Sequence, residues 1–467
     1  MSAKPPLPDD LWAKIPPDAQ AAILALVQTF EQPIAALEAR LNQNSSNSSK
    51  RPSAEPLHLK RQPPRPASRK RRGGQPGHER RTRELIPAEQ LTRSVEIKPH
   101  SCTGCGHVLD GHDPEPFGHQ VAELPEIRPE VIEYRLHRLT CPGCGATGRG
   151  RLPADIPRGS FGPPLQAWAG PLGGAYRLSK RQVQRPFADL LGVSISTGMV
   201  AKLRRQAGDL LADPMAEIVE AVRQAKAVHV DETGWREEGK KAWLWVGATA
   251  GATAFLIRRS RGHDALEDLL GEDPGRGQVI ISDRFPTYAR APNRQLCRAH
   301  LRRDMQAMID RASGGESVGR RLLEQSRWVF TRWRRLGEGS IARPTLRSYV
   351  AGLKGVVGLL LREGSACACD GTAKVCRKIL EAEKHLGRFA EVAGVAPDND
   401  AAERALRHGV IWRKPSLGTA SGAGSRFAER LLSVAETCRQ GGRSVAGYLT
   451  ACFEAKRCGR PIPSPLA

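Results

Sequence analysis

At 467 residues the chain has room for two to four domains, and its 40% hydrophobic and 26% charged residues are the balance of a globular protein, not a fibrous or wholly disordered one. A formal charge of +23 calls for a polyanionic partner, nucleic acid or an acidic membrane surface. The longest uncharged apolar stretch, Ala242–Ile257, is shorter than the roughly 20 residues of a bilayer span. The N-terminus carries Asp9 and Asp10 and no apolar signal core, and eleven cysteines are sparse for a disulfide framework. A reducing, cytoplasmic setting without membrane contact is therefore expected.

Residues 1–43 read as helix. Ile23, Val27, Phe30, Ile34, Leu37 and Leu41 repeat in steps of four and three, the seam of a coiled coil, and Pro33 is expected to kink it. A single amphipathic helix packed on its own protein fits equally. Residues 44–92 read as a basic, disordered linker that opens with Asn44-Ser45-Ser46-Asn47-Ser48-Ser49. Eleven basic and two acidic residues lie between Lys50 and Arg81, with many prolines and few apolar side chains. Lys70, Arg71 and Arg72 are candidate phosphate contacts in this arm; the alternative is a solvated linker.

Residues 93–155 read as a zinc-ribbon-like module. Cys102-Thr103-Gly104-Cys105 and Cys141-Pro142-Gly143-Cys144 are two matched CxxC knuckles, and four thiolates suit a closed tetrahedral zinc site. Two or three strands, Val131–Leu136 among them, are expected between the pairs. His107 and His112 are possible substitute ligands or surface residues.

Residues 160–222 read as a helical region of helix-turn-helix type. Lys180–Leu191 carries Val183, Phe187, Leu190 and Leu191, Gly192 offers the turn, and Ser196 or Thr197 caps a second helix bearing Lys202, Arg204 and Arg205. Such a helix would enter a major groove; a plain helical hairpin is the alternative.

From Lys226 the pattern changes to short apolar runs. Strands are expected at Ala227–Val230, Ala242–Thr249, Ala254–Arg258, Gln278–Ser282 and Gln295–Cys297, with a helix at His263–Leu270. Three antiparallel strands, a helix and a parallel strand are the order of a ribonuclease H-like domain. Its first part would span residues 226–300. Residues 301–396 form a helical insertion with Trp328, Trp333, Leu359, Leu360 and Leu361 as core candidates. Residues 397–456 complete the domain with C-terminal helices broken at Gly418–Gly424, and 457–467 form a tail. The expected class is thus multidomain α+β with a ribonuclease H-like α/β catalytic domain.

Three acids sit where a nuclease-type metal site would draw its ligands. Asp231 ends one strand run, Asp283 ends another, and Glu403 falls in the first turn of the helix after Asp398-Asn399. Short aspartates at a sheet rim and a longer glutamate reaching in can hold two Mg2+ (or Mn2+) ions about 3.5–4 Å apart for phosphodiester chemistry. Each acid has a plainer reading. Asp231 and Glu232 are exposed strand-end charges, Asp283 opens a turn with Pro286, and Asp400-x-x-Glu403 mimics a capping box with a Glu403–Arg407 pair. Cys297 and His300 stand close behind Asp283, to hold phosphate, orient a carboxylate or merely pack. Arg404 and Arg407 stand near the site, and Arg298, Arg302 and Arg303 are expected to face DNA.

On these residues the chain resembles the transposases of the insertion-sequence sixty-six group of bacterial mobile elements. The likeness rests on Asn44–Lys50, Gly73-Gly74-Gln75-Pro76-Gly77-His78, the two knuckles, Val230-Asp231-Glu232-Thr233, Ser282-Asp283, Cys297–Arg303, Asp398–Arg407 and Arg413-Lys414. The chain departs from the group's pattern at Arg298, where an aromatic is common, and at Pro415-Ser416-Leu417-Gly418. The resemblance implies a DDE transposase with Asp231, Asp283 and Glu403 as metal ligands. It implies donor DNA cut to free a 3′-hydroxyl that attacks target DNA, a homo-oligomer on paired element ends, and small accessory proteins. A DNA-binding regulator with an inactive ribonuclease H-like domain, or a nuclease that hydrolyses without joining, are the rival readings.

Overall fold

The computed structural model describes residues 8–48, 84–311 and 314–467. The chain forms two compact units, Pro56–Glu130 on one side and Met1–Glu55 with Val131–Ala467 on the other. The described residues of the smaller unit, 84–130, carry a short 3-10 turn at Ala88–Gln90 and an isolated bridge between Ser101 and Val108. No helix among the described residues is long and apolar enough to cross a membrane.

In the larger unit a hairpin, β1 (Arg138–Thr140) and β2 (Thr147–Arg149), precedes a mixed sheet of β3 (Ala227–Glu237), β4 (Lys240–Ala248), β5 (Thr253–Arg258), β6 (Val279–Ser282) and β7 (Arg294–Leu296). The sheet order is β5-β4-β3-β6-β7, with β3-β4-β5 antiparallel and β3-β6-β7 parallel. β3 overruns the expected strand end at Val230. The strand runs on to Glu237, its alternation giving way to consecutive burial at Glu232 and Thr233, and Glu238-Gly239, both with positive φ, make the tight turn into β4 that suits a two-residue hairpin. Asp231 is therefore interior to β3, though it lies just past the last parallel pair, His229 with Ile281. β6 is buried on both faces. Ile280 joins the main core, while Val279 and Ile281 pack with Val329, Leu346 and Phe389 of the helical segment.

Helices cover the sheet. Asp400–Ser416 and Gly422–Gln440 contribute Ala402, Ala405, Leu406, Trp412, Phe427 and Leu431 to the same core as Val228, Leu244 and Phe255. Leu417 and Gly418, both at positive φ, make the break expected near Gly418. The helices Arg298–Asp310, Glu316–Gly337, Arg343–Ser365 and Asp370–Glu381 build a second core from Leu301, Met305, Leu322, Leu361 and Cys376. Trp333 meets Phe389 edge-on at 5.8 Å. Trp328 and Leu359, expected in that core, are exposed at 48% and 66%, because their sides of the two helices face solvent.

Two further expectations need correction. Val131–Leu136 is not a strand: Val131 and Ile132 are exposed at 86% and 60%, and no apolar face lies against them. The helix Pro17–Leu41 runs unbroken through Pro33, and Leu26, Phe30, Ile34, Leu37 and Leu41 of its seam side are exposed.

The helix-turn-helix segment forms as Lys180–Asp189 and Thr197–Leu210. Ser179 and Gln182 complete a capping box, Gly192 takes the left-handed turn, and Ser196 caps the second helix through Met199 N at 3.1 Å. Val183, Phe187, Val200 and Leu203 close its core.

Close approach sets one glycine. A Cβ at Gly409 would stand well inside contact distance of Leu244 Cδ2, and Leu244 is fully buried. Gly409→Ala should cost about 1–3 kcal/mol through overpacking. Thermal melting checks this; an unchanged midpoint would mean the helix can back away from β4 freely.

Candidate active site

The sheet explains how two aspartates meet. Carrying the β3–β6 register two residues beyond His229 and Ile281 sets Asp231 level with Asp283, which directly follows β6. Cys297 directly follows β7 and donates its amide to Ser282 O at 2.8 Å. All three positions thus line the carboxyl ends of the parallel strands, where open α/β sheets gather their functional groups. Both aspartates are half-buried. Asp231 Oδ1 accepts from Glu232 N and Asp283 Oδ1 from Phe285 N, each at 2.8 Å, which pins the two carboxylates to local backbone.

Glu403 comes from the helix Asp400–Ser416, which lies on the face of β3 and β4 that carries His229, Asp231, Thr233 and Leu244. Arg413 fastens its far end, donating to Gly234 O, with Thr233 Oγ1 at 3.5 Å. Burial pushes the Asp231 carboxyl well above the usual carboxylate range, and the charges of Glu232, Asp283 and Glu403 add to it. Glu403 is also pushed up, mainly by burial, with Arg303 opposing and Asp400, Asp398 and Asp283 reinforcing. The three acids therefore feel one another through low-dielectric surroundings.

The capping-box reading of Glu403 fails. Asn399 is the N-cap residue and makes no side-chain cap bond; Arg404 pairs with Asp400 at 3.9 Å, and Arg404 and Arg407 are exposed. Glu403 Oε1 is buried without a hydrogen-bond partner among the described residues, and so is His300 Nδ1, 3.8 Å away. Cys297, His300 and Glu403 each offer a ligand atom within 4.8 Å of the others. Burial pushes the Cys297 thiol up to about 12, so it is neutral here, and its sulfur accepts from Asn399 N at 3.2 Å.

Asn399 was quoted in the sequence pattern without a role. It is 1% exposed, donates Nδ2 to Val230 O at 2.8 Å, and holds Oδ1 3.2 Å from His229 Nδ1. It ties the entry of the Glu403 helix to the residue before Asp231. Glu232 is not the exposed strand-end charge of the plainer reading. Its parity with Val228 and Val230 puts it on the buried face of β3, where it is 3% exposed. Tyr288 Oη donates to one of its oxygens, and Arg261 Nε and Nη2 donate to the other at 2.9 and 2.6 Å. That parity was the available signal.

A cleft of about 1040 Å³ opens at this rim. Asp283, His300 and Asp304 line it together with Arg261, Arg284, Arg290, Arg294, Arg303, Lys378 and Lys384. Cations outnumber acids there, as a phosphate backbone requires. Arg302 is exposed and lies over Phe330 at 5.6 Å, and Arg303 is half-buried beside Glu403. Arg298 does not face outward. It is buried, donates to Leu386 O at 2.9 Å and stacks on Phe389 at 5.3 Å, a packing role in place of the expected DNA contact. Arg204 likewise turns inward, over Phe427 at 4.7 Å, whereas Lys202 and Arg205 are exposed. Lys70, Arg71 and Arg72 lie outside the described residues.

The two knuckles are local copies of one another. Gly106 N donates to Cys102 O and Gly145 N to Cys141 O, each at 2.9 Å, and both glycines have positive φ near 70°. The glycine after each pair, more than the one inside it, makes the turn. Knuckle amides of Gly104 and Cys105 lower the Cys102 thiol below its ordinary range, and those of Cys144 and Gly143 lower Cys141. Both are thus prepared to act as thiolates. The purified protein should carry about one zinc per chain, and Cys102→Ser or Cys141→Ser should lose it. Metal analysis tests this, and full zinc in either variant would remove that cysteine from the ligand set.

Residues 99–145, which contain all four cysteines, match the zinc-finger binding domain of transposase IS66. Residues 4–84 match a family of unknown function. The uncharacterized protein y4qI of Sinorhizobium fredii (strain NBRC 101917 / NGR234) is 26% identical over 289 residues, 56% of this chain and 53% of that protein. The chain thus spans about half the length of that curated relative. Residues 175–426, more than half of the chain and inclusive of Asp231, Asp283 and Glu403, match the transposase IS66 family. The chain belongs to the IS66 family of transposases.

Proposed function

We propose that this chain is a DDE transposase: a metal-dependent enzyme that cuts DNA and joins the freed 3′ end to a new site. The observation that supports this reading is the alignment of Asp231 with Asp283 just past the β3–β6 parallel pairing, with Glu403 on the helix packed against β3 and its Oε1 buried without a hydrogen-bond partner among the described residues. A ribonuclease H-like catalytic domain is supported by the sheet order β5-β4-β3-β6-β7 and by the acids at the parallel strand ends. We divide it into residues 226–300 and 397–456, interrupted by a helical insertion at 301–396. Residues 93–155 are the zinc module and 160–222 the helical DNA-binding region.

The donor set fits divalent cations. Burial, with neighbouring negative charge, disfavours the ionised forms of Asp231 and Glu403, a cost that a bound cation would offset, and hard carboxylate oxygens suit Mg2+ or Mn2+. Asp231, Asp283 and Glu403 would hold two such ions, which supply Lewis-acid charge at the attacking and leaving oxygens of an in-line displacement. The remaining work belongs to the chain. Asn399 and Arg413 fix the Glu403 helix on the sheet, and His300 stands against Glu403 to set its orientation. Arg284, Arg303 and the other cleft cations bind the backbone of the strand being cut. Hydrolysis of one phosphodiester leaves a 3′-hydroxyl. That hydroxyl then displaces a 3′-oxygen in the target strand, so one bond forms as one breaks and no covalent protein–DNA bond is needed.

Element ends and target DNA are the substrates in this reading. Copies of the chain would pair on the two ends, with accessory proteins of the element as further partners. The test is purified protein with Mg2+ and the DNA flanking its own gene. Joined products are expected. Cut but unjoined products would make it a hydrolytic nuclease, and specific binding without cleavage a regulator.

A further inference from the structure

The surroundings of Arg261 go beyond what the three acids require. Its guanidinium lies over two aromatic rings, 3.7 Å from the centroid of Phe285 and 4.4 Å from that of Trp243. Glu232, buried on the face of β3 opposite Asp231, takes Nε and Nη2 on a single oxygen, Oε1. Tyr288 donates to the second oxygen, and Tyr288 packs edge-on against both Trp245 and Phe285, each at 6.3 Å. Thr287 Oγ1 holds Arg261 O at 2.9 Å, so backbone and head group are both fixed. The side chain is nonetheless 36% exposed and lines the cleft that contains Asp283 and Arg284.

A surface ion pair needs none of this support. A long side chain ordinarily surrenders rotamer freedom on binding; here that freedom is already lost in the free protein. An arginine held along its Nε–Nη2 edge by Glu232 and lying over two aromatic rings, with part of its surface open to an anion-binding cleft, is a preorganised donor for a phosphate oxygen.

We propose that Arg261 contacts a backbone phosphate of the DNA strand lying along the Asp283 rim, and that Glu232, Tyr288, Trp243 and Phe285 exist at this corner to position it. This deepens the function proposed above and rests on it for the identity of the anion.

The test measures affinity for a duplex oligonucleotide without added Mg2+, as a function of salt, for the full chain and for Arg261→Gln. One lost phosphate contact lowers the slope of log affinity against log salt by about 0.9. The expected result is that drop for Arg261→Gln in protein shown to be folded, with a melting midpoint lowered because buried Glu232 loses two donors. Arg276→Gln, on an exposed loop and paired only with Asp273 at 3.2 Å, should keep the wild-type slope. An unchanged slope in folded Arg261→Gln overturns the proposal. If Arg261→Gln does not fold, Arg261→Lys decides. Lysine keeps the charge but cannot sit on Glu232 with two donors, so it should retain the slope and lose at least about tenfold in cleavage rate at saturating DNA. Wild-type cleavage in Arg261→Lys also overturns the proposal. Should wild-type protein cleave no duplex with Mg2+ while the slope still falls by one contact, the phosphate role stands and the transposase chemistry fails.

Discussion

Asp231→Asn, Asp283→Asn and Glu403→Gln should each abolish Mg2+-dependent strand transfer, by roughly a thousandfold or more, the scale at which a preorganised charge stabiliser is lost. The same variants should not be less stable without metal. Asp231 is surrounded by the charges of Glu232, Asp283 and Glu403, in a setting that already disfavours its ionised form. Replacing one carboxylate by its amide relieves that repulsion, so the metal-free melting midpoint should hold or rise by about a few degrees. Added Mg2+ should raise the midpoint of the wild type, because an ion bound only to the folded chain stabilises it by mass action. It should leave the variants where they are. Structural carboxylates would give the opposite pattern, a lower midpoint and a retained response to Mg2+. Undiminished strand transfer by any one folded variant would strike that acid from the site.

The second large effect is expected at Asn399. Three elements meet at this buried side chain: β3 through Val230 O and His229, the end of β7 through Cys297 Sγ, and the helix that brings Glu403. Asn399→Asp keeps the shape but loses the donor to Val230 O and adds an unpaired negative charge beside an already crowded acidic centre. The cost should be about 1–3 kcal/mol, that of leaving a buried polar group unsatisfied. Asn399→Ala should also destabilise, and both should lower cleavage further than their stability loss explains, since Glu403 loses its register against Asp231. Melting curves alongside single-turnover cleavage test this. Wild-type values in both variants would mean that the helix is placed by Gly409 and Arg413 alone.

Much of the catalytic region was readable from periodicity and residue type. The apolar runs placed β4 to β7 to within a few residues and fixed where β3 begins but not where it ends, and Asp283 and Glu403 fell where expected, just past a strand and in a first helical turn. Asp231 was found for a reason that needed revision. It closes the parallel pairing with β6, not the strand itself, because the hairpin turn at Glu238-Gly239 extends β3 well beyond it. Arg298 and Arg204 show the limit of reading charge as exposure. Both long side chains found an aromatic ring and turned inward. Trp328 and Leu359 show the converse, apolar residues left outside because the helices of the second core present other faces to one another.

The amino-acid order by itself determined the chemistry available: four knuckle cysteines with a glycine after each pair, three acids in strand-end and helix-start settings, and an excess of cations. Local rules of turn, cap and alternation act over a few residues, so these features needed no partner. Which acids meet, what fastens them and which arginines reach the cleft were decided only in three dimensions. Glu403 stands 172 positions beyond Asp231, and the bond from Asn399 to Val230 spans 169. No short-range pattern encodes such a contact, because it depends on how the helix settles against β3 and β4 when their shared core closes.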